Sequence, residues 1–450
     1  MGTEPDLVWL QERLEDDALV SSLASLASRC ACPEALRATA WRLFFEVVDP
    51  RAPDDWAATV ASQRERYREM RDGAMARLAE AMEEALDDES EGGAAVEDAA
   101  DQIRADLERC FPEGAGSHFM DPARQKTMFH ILLAWAVNHE RPGYRQGMHE
   151  LLANLLWVFE KSFAATAIAV LPPESPLNAL RVDLTFLEED VYWLFDKLVD
   201  KWTPLYDNNL GLLVQDDNNI AKTKKKNGPS LVVQACERVQ SSRLGEADPE
   251  LRSHLASFSS KNDAVLPQVY MLSWLRLGFS RLLSIDDVAK LWDAFFAPPG
   301  FNGFGAPETL VAWLESCAVL LLVLQREKLL RADTGAGCLQ ILLRVVSPEP
   351  LFLSRHARRL HGDRASAAPI IASLRTQANL AAVLPSWLLS ILGSVGLVAA
   401  APRPSYQPRP VPGDDSYFTI LSSTSNVLGR VLSFVYTFNE CSVSCSCLLK

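Results

Sequence analysis

The sequence predicts an all-α protein built of many short helices, and three observations carry that prediction. Apolar residues recur at helical spacing wherever a period can be read, as in Leu151, Leu152, Leu155 and Phe159, or Val288, Leu291, Trp292 and Phe295. Such spacing puts them on one face of a helix. Strand-type alternation of apolar and polar residues is scarce, and no internal repeat is clear enough to indicate a solenoid. With 48% hydrophobic and 23% charged residues among 450, the chain can form a true core.

Taken in order, residues 1–32 are expected to form an N-terminal helical extension. A helix then carries Arg37 and Trp41, one turn apart, where an aromatic is usually core and the arginine stacks or pairs beside it. About residues 79–101 the chain becomes acidic and small, with Asp87, Asp88, Glu89 and Glu91 around a Gly92-Gly93 break, which reads as a helix followed by a loop insertion. The next helix runs through Ile103, Asp106 and Arg109; Pro112 disfavours helical geometry at Phe111, so the helix should stop just after Arg109. Pro142 and Gly143 make a turn into a helix that enters the core. Leu171 to Pro176, with three prolines, and the stretch from 207 to 230 interrupt the helical pattern. From Thr376 to Pro402 no residue is charged, a length that can span a bilayer. Pro385, Gly393, Gly396 and three serines dilute it, so a buried helix pair or a membrane-surface segment is as good a reading. Residues 346–402 are thus a C-terminal helical and apolar segment, and 403–450 a flexible tail that opens on a proline-rich linker.

Charge and cysteines exclude several classes. The formal net charge of −14 repels a phosphate backbone, and the one dense basic cluster, Lys222 with Lys224 to Lys226, reads as a solvated loop, so nucleic acid is not an expected partner. None of the nine cysteines shows the doubled spacing of a zinc site. The histidines, including His118, His130, His139 and His149, never fall at metal spacing, which leaves them packing or surface roles. Met1 to Asp6 lacks the basic and apolar parts of a signal peptide, and a reduced cytoplasmic setting is expected.

Two segments hold the chemistry. Asp106 and Arg109 lie three apart and so share a helix face, where the carboxylate can steady an arginine projecting past the helix end. Gln146, after Tyr144 and Arg145, sits in the loop or first turn at a helix N-terminus, where backbone donors face outward and phosphate-like groups are welcome. Each segment alone also fits an ordinary ion pair or a capping residue.

Together with Arg37 and Trp41, these segments resemble the TBC domain, whose fingerprints RxxxW, IxxDxxR and YxQ occur here in family order. They stand as Arg37 with Trp41, Ile103 with Asp106 and Arg109, and Tyr144 with Gln146. The stretch from Trp274 to Arg281, followed by Leu291, Trp292, Asp293, Ala294, Phe295 and Phe296, is similar to a later signature of the family. Ser273, where the family commonly has arginine, and Leu282-Leu283 in place of Glu-Phe are departures that leave both finger motifs untouched. The resemblance covers residues 33–345, and Gln146 to Ala153 together with Leu187 to Tyr192 look most like the branch called TBC domain family member 5.

The resemblance implies a fold of two helical subdomains and a GTPase-activating role toward a Rab-family small GTPase in vesicle traffic. Arg109 and Gln146 would be the two catalytic fingers, Asp106, Tyr144 and Arg145 their supports, and Arg37, Trp41, Ile103, Trp274, Trp292 and Asp293 architecture. The chain would hydrolyse nothing alone and hold no cofactor, since GTP and Mg²⁺ belong to the partner; no P-loop is present. By the same resemblance, endosomal membranes are the site of recruitment and a retromer-type coat is a partner. Asp414 to Ile420 resembles a short strand-adding motif for ubiquitin-like autophagy modifiers, with Tyr417 and Ile420 as its anchors. Cys441, Cys445 and Cys447 stand in a terminus where lipidation is a minor alternative to an unstructured tail. Two other functions stand beside the activator reading: a non-catalytic adaptor of the same fold, and a membrane-associated helical protein motivated by the uncharged run alone.

Overall fold

The computed structural model describes residues 6–15, 18–84, 94–166, 171–206, 230–260, 263–298, 309–345 and 348–362. Among them every regular element is helical, and no strand occurs. The first group of helices comprises α1 (Leu7–Glu15), α2 (Leu19–Ala27), α3 (Glu34–Phe44), α4 (Trp56–Glu84), α5 (Ala94–Leu107), α6 (Pro122–Asn138), α7 (Met148–Thr166), α8 (Leu177–Leu180) and α9 (Leu187–Tyr206). The second comprises α10 (Leu231–Arg238), α11 (Leu244–Ala247), α12 (Pro249–Ser257), α13 (Pro267–Arg276), α14 (Ile285–Phe296), α15 (Thr309–Leu324), α16 (Arg326–Leu330), α17 (Gly335–Leu342) and α18 (Pro350–Gly362).

Local chemistry explains where several of these helices begin. Asp121 accepts from the Ala123 amide and Pro122 opens α6; Asp248 accepts from the Leu251 amide and Pro249 opens α12. In both, a side-chain oxygen satisfies an orphan N–H and proline occupies the position that needs no donor. Ser284 does the same for α14 through the Asp287 amide, and Asp286 and Asp287 place negative charge in the first turn.

In the first group α4 packs against α5, α6 and α9, while α7 packs against α3 and α9. In the second, α10 packs on α13 and α15 on α18. Contacts of α9 with α10 and α13, and of α14 with α3 and α7, join the groups. One continuous core runs through both, taking in Leu7 and Leu10 near one end and Leu353, Ala357 and Leu360 near the other. The extension and α18 therefore share the core of the residues between them.

The seam between the groups is aromatic and charged at once. Trp41 of α3, Trp202 of α9 and Trp292 of α14 meet with ring centroids 5.7 to 6.2 Å from Trp292, and Phe296 meets Trp41 edge-on at 4.9 Å. Inside it, Asp293 accepts from Arg37 Nε at 3.0 and 3.1 Å and from Trp41 Nε1 at 2.9 Å. Asp293 is 0% exposed, and burial pushes its carboxyl up to about 6, with Arg37 and Trp41 pulling the other way.

The acidic residues 85–93, the loop 207–229 with its lysines, the uncharged run Thr376 to Pro402, the segment Tyr417 to Ile420 and the three terminal cysteines lie outside the described residues. Among the described residues no helix is long and apolar enough to cross a membrane.

Candidate functional site

The site forms where the C-terminus of α5 meets the loop between α6 and α7. Helix α5 ends at Leu107, two residues earlier than the sequence suggests. The Arg109 and Cys110 amides reach back only three residues, to the Asp106 and Leu107 carbonyls, at 3.2 Å each. This tightening of the final turn is a common way for a helix to satisfy its last carbonyls. Gln125 of α6 donates to the Leu107 carbonyl, and the Ile285 amide at the start of α14 donates to the Glu113 carbonyl at 2.7 Å. The segment that carries Arg109 is thus tied to both helix groups.

Arg109 projects from that turn with 68% of its side chain exposed. Its Nε donates to the Ala105 carbonyl at 3.0 Å and its Nη2 to Asp106 Oδ1 at 3.2 Å. Cys110 beside it is buried, and burial, with Glu150 and Asp106, pushes its thiol up to about 12. It is a small apolar filler rather than a reactive thiolate.

The opposing loop turns at Gly143, with φ +67°, and again at Gly147, with φ +102°. At Gly147 the left-handed backbone disfavours any side chain, and a Cβ there would stand 2.6 Å from the tip of Leu277, at Cδ2, and 3.4 Å from the Tyr206 hydroxyl. Helix α7 starts at Met148, leaving Gln146 two residues before it. Tyr144 is buried and Arg145 exposed; Arg145 Nη1 donates to the Tyr144 carbonyl at 3.1 Å.

One carboxylate gathers the set. Asp106 is 3% exposed, and its Oδ1 accepts from Arg109 Nη2 and, at 3.3 Å, from Gln146 Nε2. Its Oδ2 accepts from the Tyr144 hydroxyl at 2.9 Å. Since an ionised carboxylate only accepts, Gln146 must turn its nitrogen toward Asp106 and its amide oxygen away. Burial pushes the Tyr144 phenol well above its ordinary range, and Asp106 adds to the shift, so the hydroxyl keeps its proton.

Behind this cluster the His149 Nδ1 lies 3.1 Å from the Tyr144 hydroxyl and 3.7 Å from Asp106 Oδ2. Its neighbour Glu150 accepts from Arg281 Nε at 3.0 Å and from Ser280 Oγ at 3.3 Å. Sequence reading left His149, Glu150, Ser280 and Arg281 without a place here. The spacing of His149 and Glu150 from the YxQ motif was visible, and Tyr144 is a local neighbour of His149, but Asp106 of α5 and Ser280 and Arg281 come from far away in sequence.

Of the other residues singled out in the sequence, Ile103 is buried on the inner face of α5, Trp274 is buried against Tyr270 at 5.2 Å, and Trp292 donates to the Gly278 carbonyl at 3.0 Å. Arg37, Trp41 and Asp293 make the seam and lie apart from the Asp106 cluster in the hydrogen-bond network. No group of three or more histidines, cysteines and carboxylates among the described residues is arranged to hold a metal.

The family model described as the Rab-GTPase-TBC domain matches residues 34–330, about two thirds of the chain. The chain belongs to that TBC family. It is 29% identical to human TBC1 domain family member 5 over 204 residues, covering 43% of this chain and 24% of that protein. With TBC1 domain family member 5 homolog B of Dictyostelium discoideum it shares 23% identity over 397 residues, covering 66% of this chain and 37% of that one. The chain therefore spans well under half the length of these relatives. Its fold matches the crystal structure of the Ypt/Rab-GAP domain of Gyp1p with a TM-score of 0.55 at 15% identity, covering 78% of this chain and 98% of that domain. The chain thus has the all-α TBC fold, and its sequence is similar to that of member 5.

Proposed function

We propose that this chain activates GTP hydrolysis by a Rab-family small GTPase, with Arg109 and Gln146 as fingers placed into the partner's nucleotide site. The observation that carries the reading is the shared anchor: Arg109 and Gln146 come from different elements and meet on Asp106 Oδ1. Phosphoryl transfer to water needs the negative charge on the transferring group neutralised and a water held in line with it. An exposed guanidinium supplies the first, and an amide whose oxygen faces away from its anchor can accept from the second. GTP and Mg²⁺ belong to the partner in this reading, and the TBC chain contributes side chains only.

The test is phosphate release from a panel of GTP-loaded Rab proteins, with wild type beside Arg109→Ala, Arg109→Lys and Gln146→Ala. One or a few Rabs should be accelerated, and Arg109→Ala should lose roughly 10³-fold or more of that acceleration, the scale of an arginine finger. Arg109→Lys should not restore it, because an ammonium lacks the planar fork that grips two oxygens. Binding without acceleration of any Rab would leave the adaptor reading instead.

Recruitment to endosomal membranes from the cytoplasm, a retromer-type coat and a ubiquitin-like autophagy modifier at Tyr417 to Ile420 belong to the proposal through the member 5 resemblance. Pull-down on immobilised modifier, with Tyr417 to Ile420 deleted, tests the last; unchanged capture removes it.

A further inference from the structure

The hydrogen-bond geometry around Asp106 assigns a proton to every link, and from it we infer that His149 is a positioning residue that orders both fingers through Tyr144 and Asp106. The inference deepens the proposed function and rests on it for its kinetic consequences, while its structural half stands alone.

The chain of donors follows from what each group can offer. Asp106 Oδ2 and the Tyr144 oxygen are 2.9 Å apart, and a phenol whose pKa is raised by burial and by Asp106 is protonated. The carboxylate can only accept, so the single phenolic proton lies between these two oxygens. The Tyr144 oxygen then has lone pairs to spare but no proton for His149 Nδ1, 3.1 Å away. Nδ1 must therefore carry a hydrogen and donate. In a neutral imidazole that leaves Nε2 bare.

The polar surroundings agree with a neutral ring. Asp106 of α5 lies 3.7 Å from Nδ1, and Glu150 lies 3.9 Å from Nε2, beyond hydrogen-bond reach. Glu150 is already engaged by Arg281, whose Nη2 approaches it at 2.5 Å. Burial lowers the His149 pKa first of all; Arg281 and Arg109 push the same way, against Glu150 and Asp106. The result is a directed series, His149 to Tyr144 to Asp106, that ends on the carboxylate whose other oxygen holds Arg109 and Gln146. Without the His149 donor, Tyr144 keeps only one of its two bonds, and the loop carrying Gln146 loses its attachment to α7 at that point.

Asparagine at 149 places its amide nitrogen where Nδ1 stands and can donate to Tyr144, whereas leucine fills similar space without a donor. Steady-state GTP hydrolysis by the responsive Rab, with full-length wild type, His149→Asn and His149→Leu, should show kcat down roughly 10- to 100-fold in the leucine variant, as for a misplaced catalytic group. KM for the GTPase should stay within about twofold, because uniform binding is untouched. The asparagine variant should recover most of the loss. Leucine as active as wild type, or asparagine no better than leucine, would overturn the inference.

A second measurement needs no GTPase. In protein labelled with ¹⁵N-histidine, long-range proton–nitrogen spectra should show one ring, missing in His149→Asn, with Nδ1 protonated and Nε2 bare. The opposite tautomer sinks the assignment whatever the activity. If no Rab responds to wild type, the proposed function falls and this spectrum still decides the hydrogen-bond order.

Discussion

Asp106 explains why two weak motifs become one site. As an exposed residue three positions before Arg109 it would form only a surface ion pair worth little. Buried, it must be fully hydrogen-bonded, and the donors that satisfy it are Arg109, Gln146 and Tyr144. The pairing of Asp106 with Arg109 was legible from an i, i+3 spacing. The bond from Gln146 was not, since it joins positions 40 apart. His149 gives a pH dependence at this scale. Its pKa is lowered in the folded protein, chiefly by burial, so the unfolded chain takes up a proton more readily. Its contribution to stability is complete above the unfolded value of 6.5 and is lost as pH falls through 6.5 toward the folded value. Melting temperatures followed from about pH 7.5 to about pH 5 should therefore fall more steeply for wild type than for His149→Asn. Parallel curves would show that the ring is not held neutral.

At the scale of elements, the α6–α7 loop is shaped by two left-handed glycines and by what it touches. Proline and glycine announced a turn, but only the tertiary structure shows the left-handed backbone at Gly147 and the approach of Leu277 to it. Gly147→Ala should cost about 1–3 kcal/mol through strained backbone and overpacking, read as a lower urea midpoint with unchanged m-value. Because Gln146 is the adjacent residue, its acceleration of GTP hydrolysis should fall as well. An alanine variant with wild-type stability would contradict the close packing. The early end of α5 is a matter of the same kind. Pro112 indicates that the helix must stop, while the particular residue is settled by hydrogen bonds to α6 and α14.

For the whole molecule, the Arg37, Trp41 and Asp293 cluster joins α3 to α14 across the seam. Asp293→Ala leaves the Arg37 guanidinium, 5% exposed, with one remaining bond to the Cys32 carbonyl. Breaking a buried pair from one side costs about 3–5 kcal/mol, so the variant should melt far below wild type. It should do so without a selective loss of kcat in the fraction that remains folded. A melting point within about 2 °C of wild type would mean that the seam tolerates an uncompensated charge.

Helical class, the fingerprint residues and the turn before α7 were determined by the sequence alone, because helix periodicity, proline and glycine act through neighbours a few residues away. What the tertiary structure decided is which of these residues share an environment. It put Asp106 and Gln146 on one buried carboxylate, drew His149, Glu150 and Arg281 in behind them, and set Arg37 and Trp41 apart at the seam. Those pairings join positions up to 256 apart. They exist because a buried charge must find donors wherever the packed helices bring them, which no local spacing encodes.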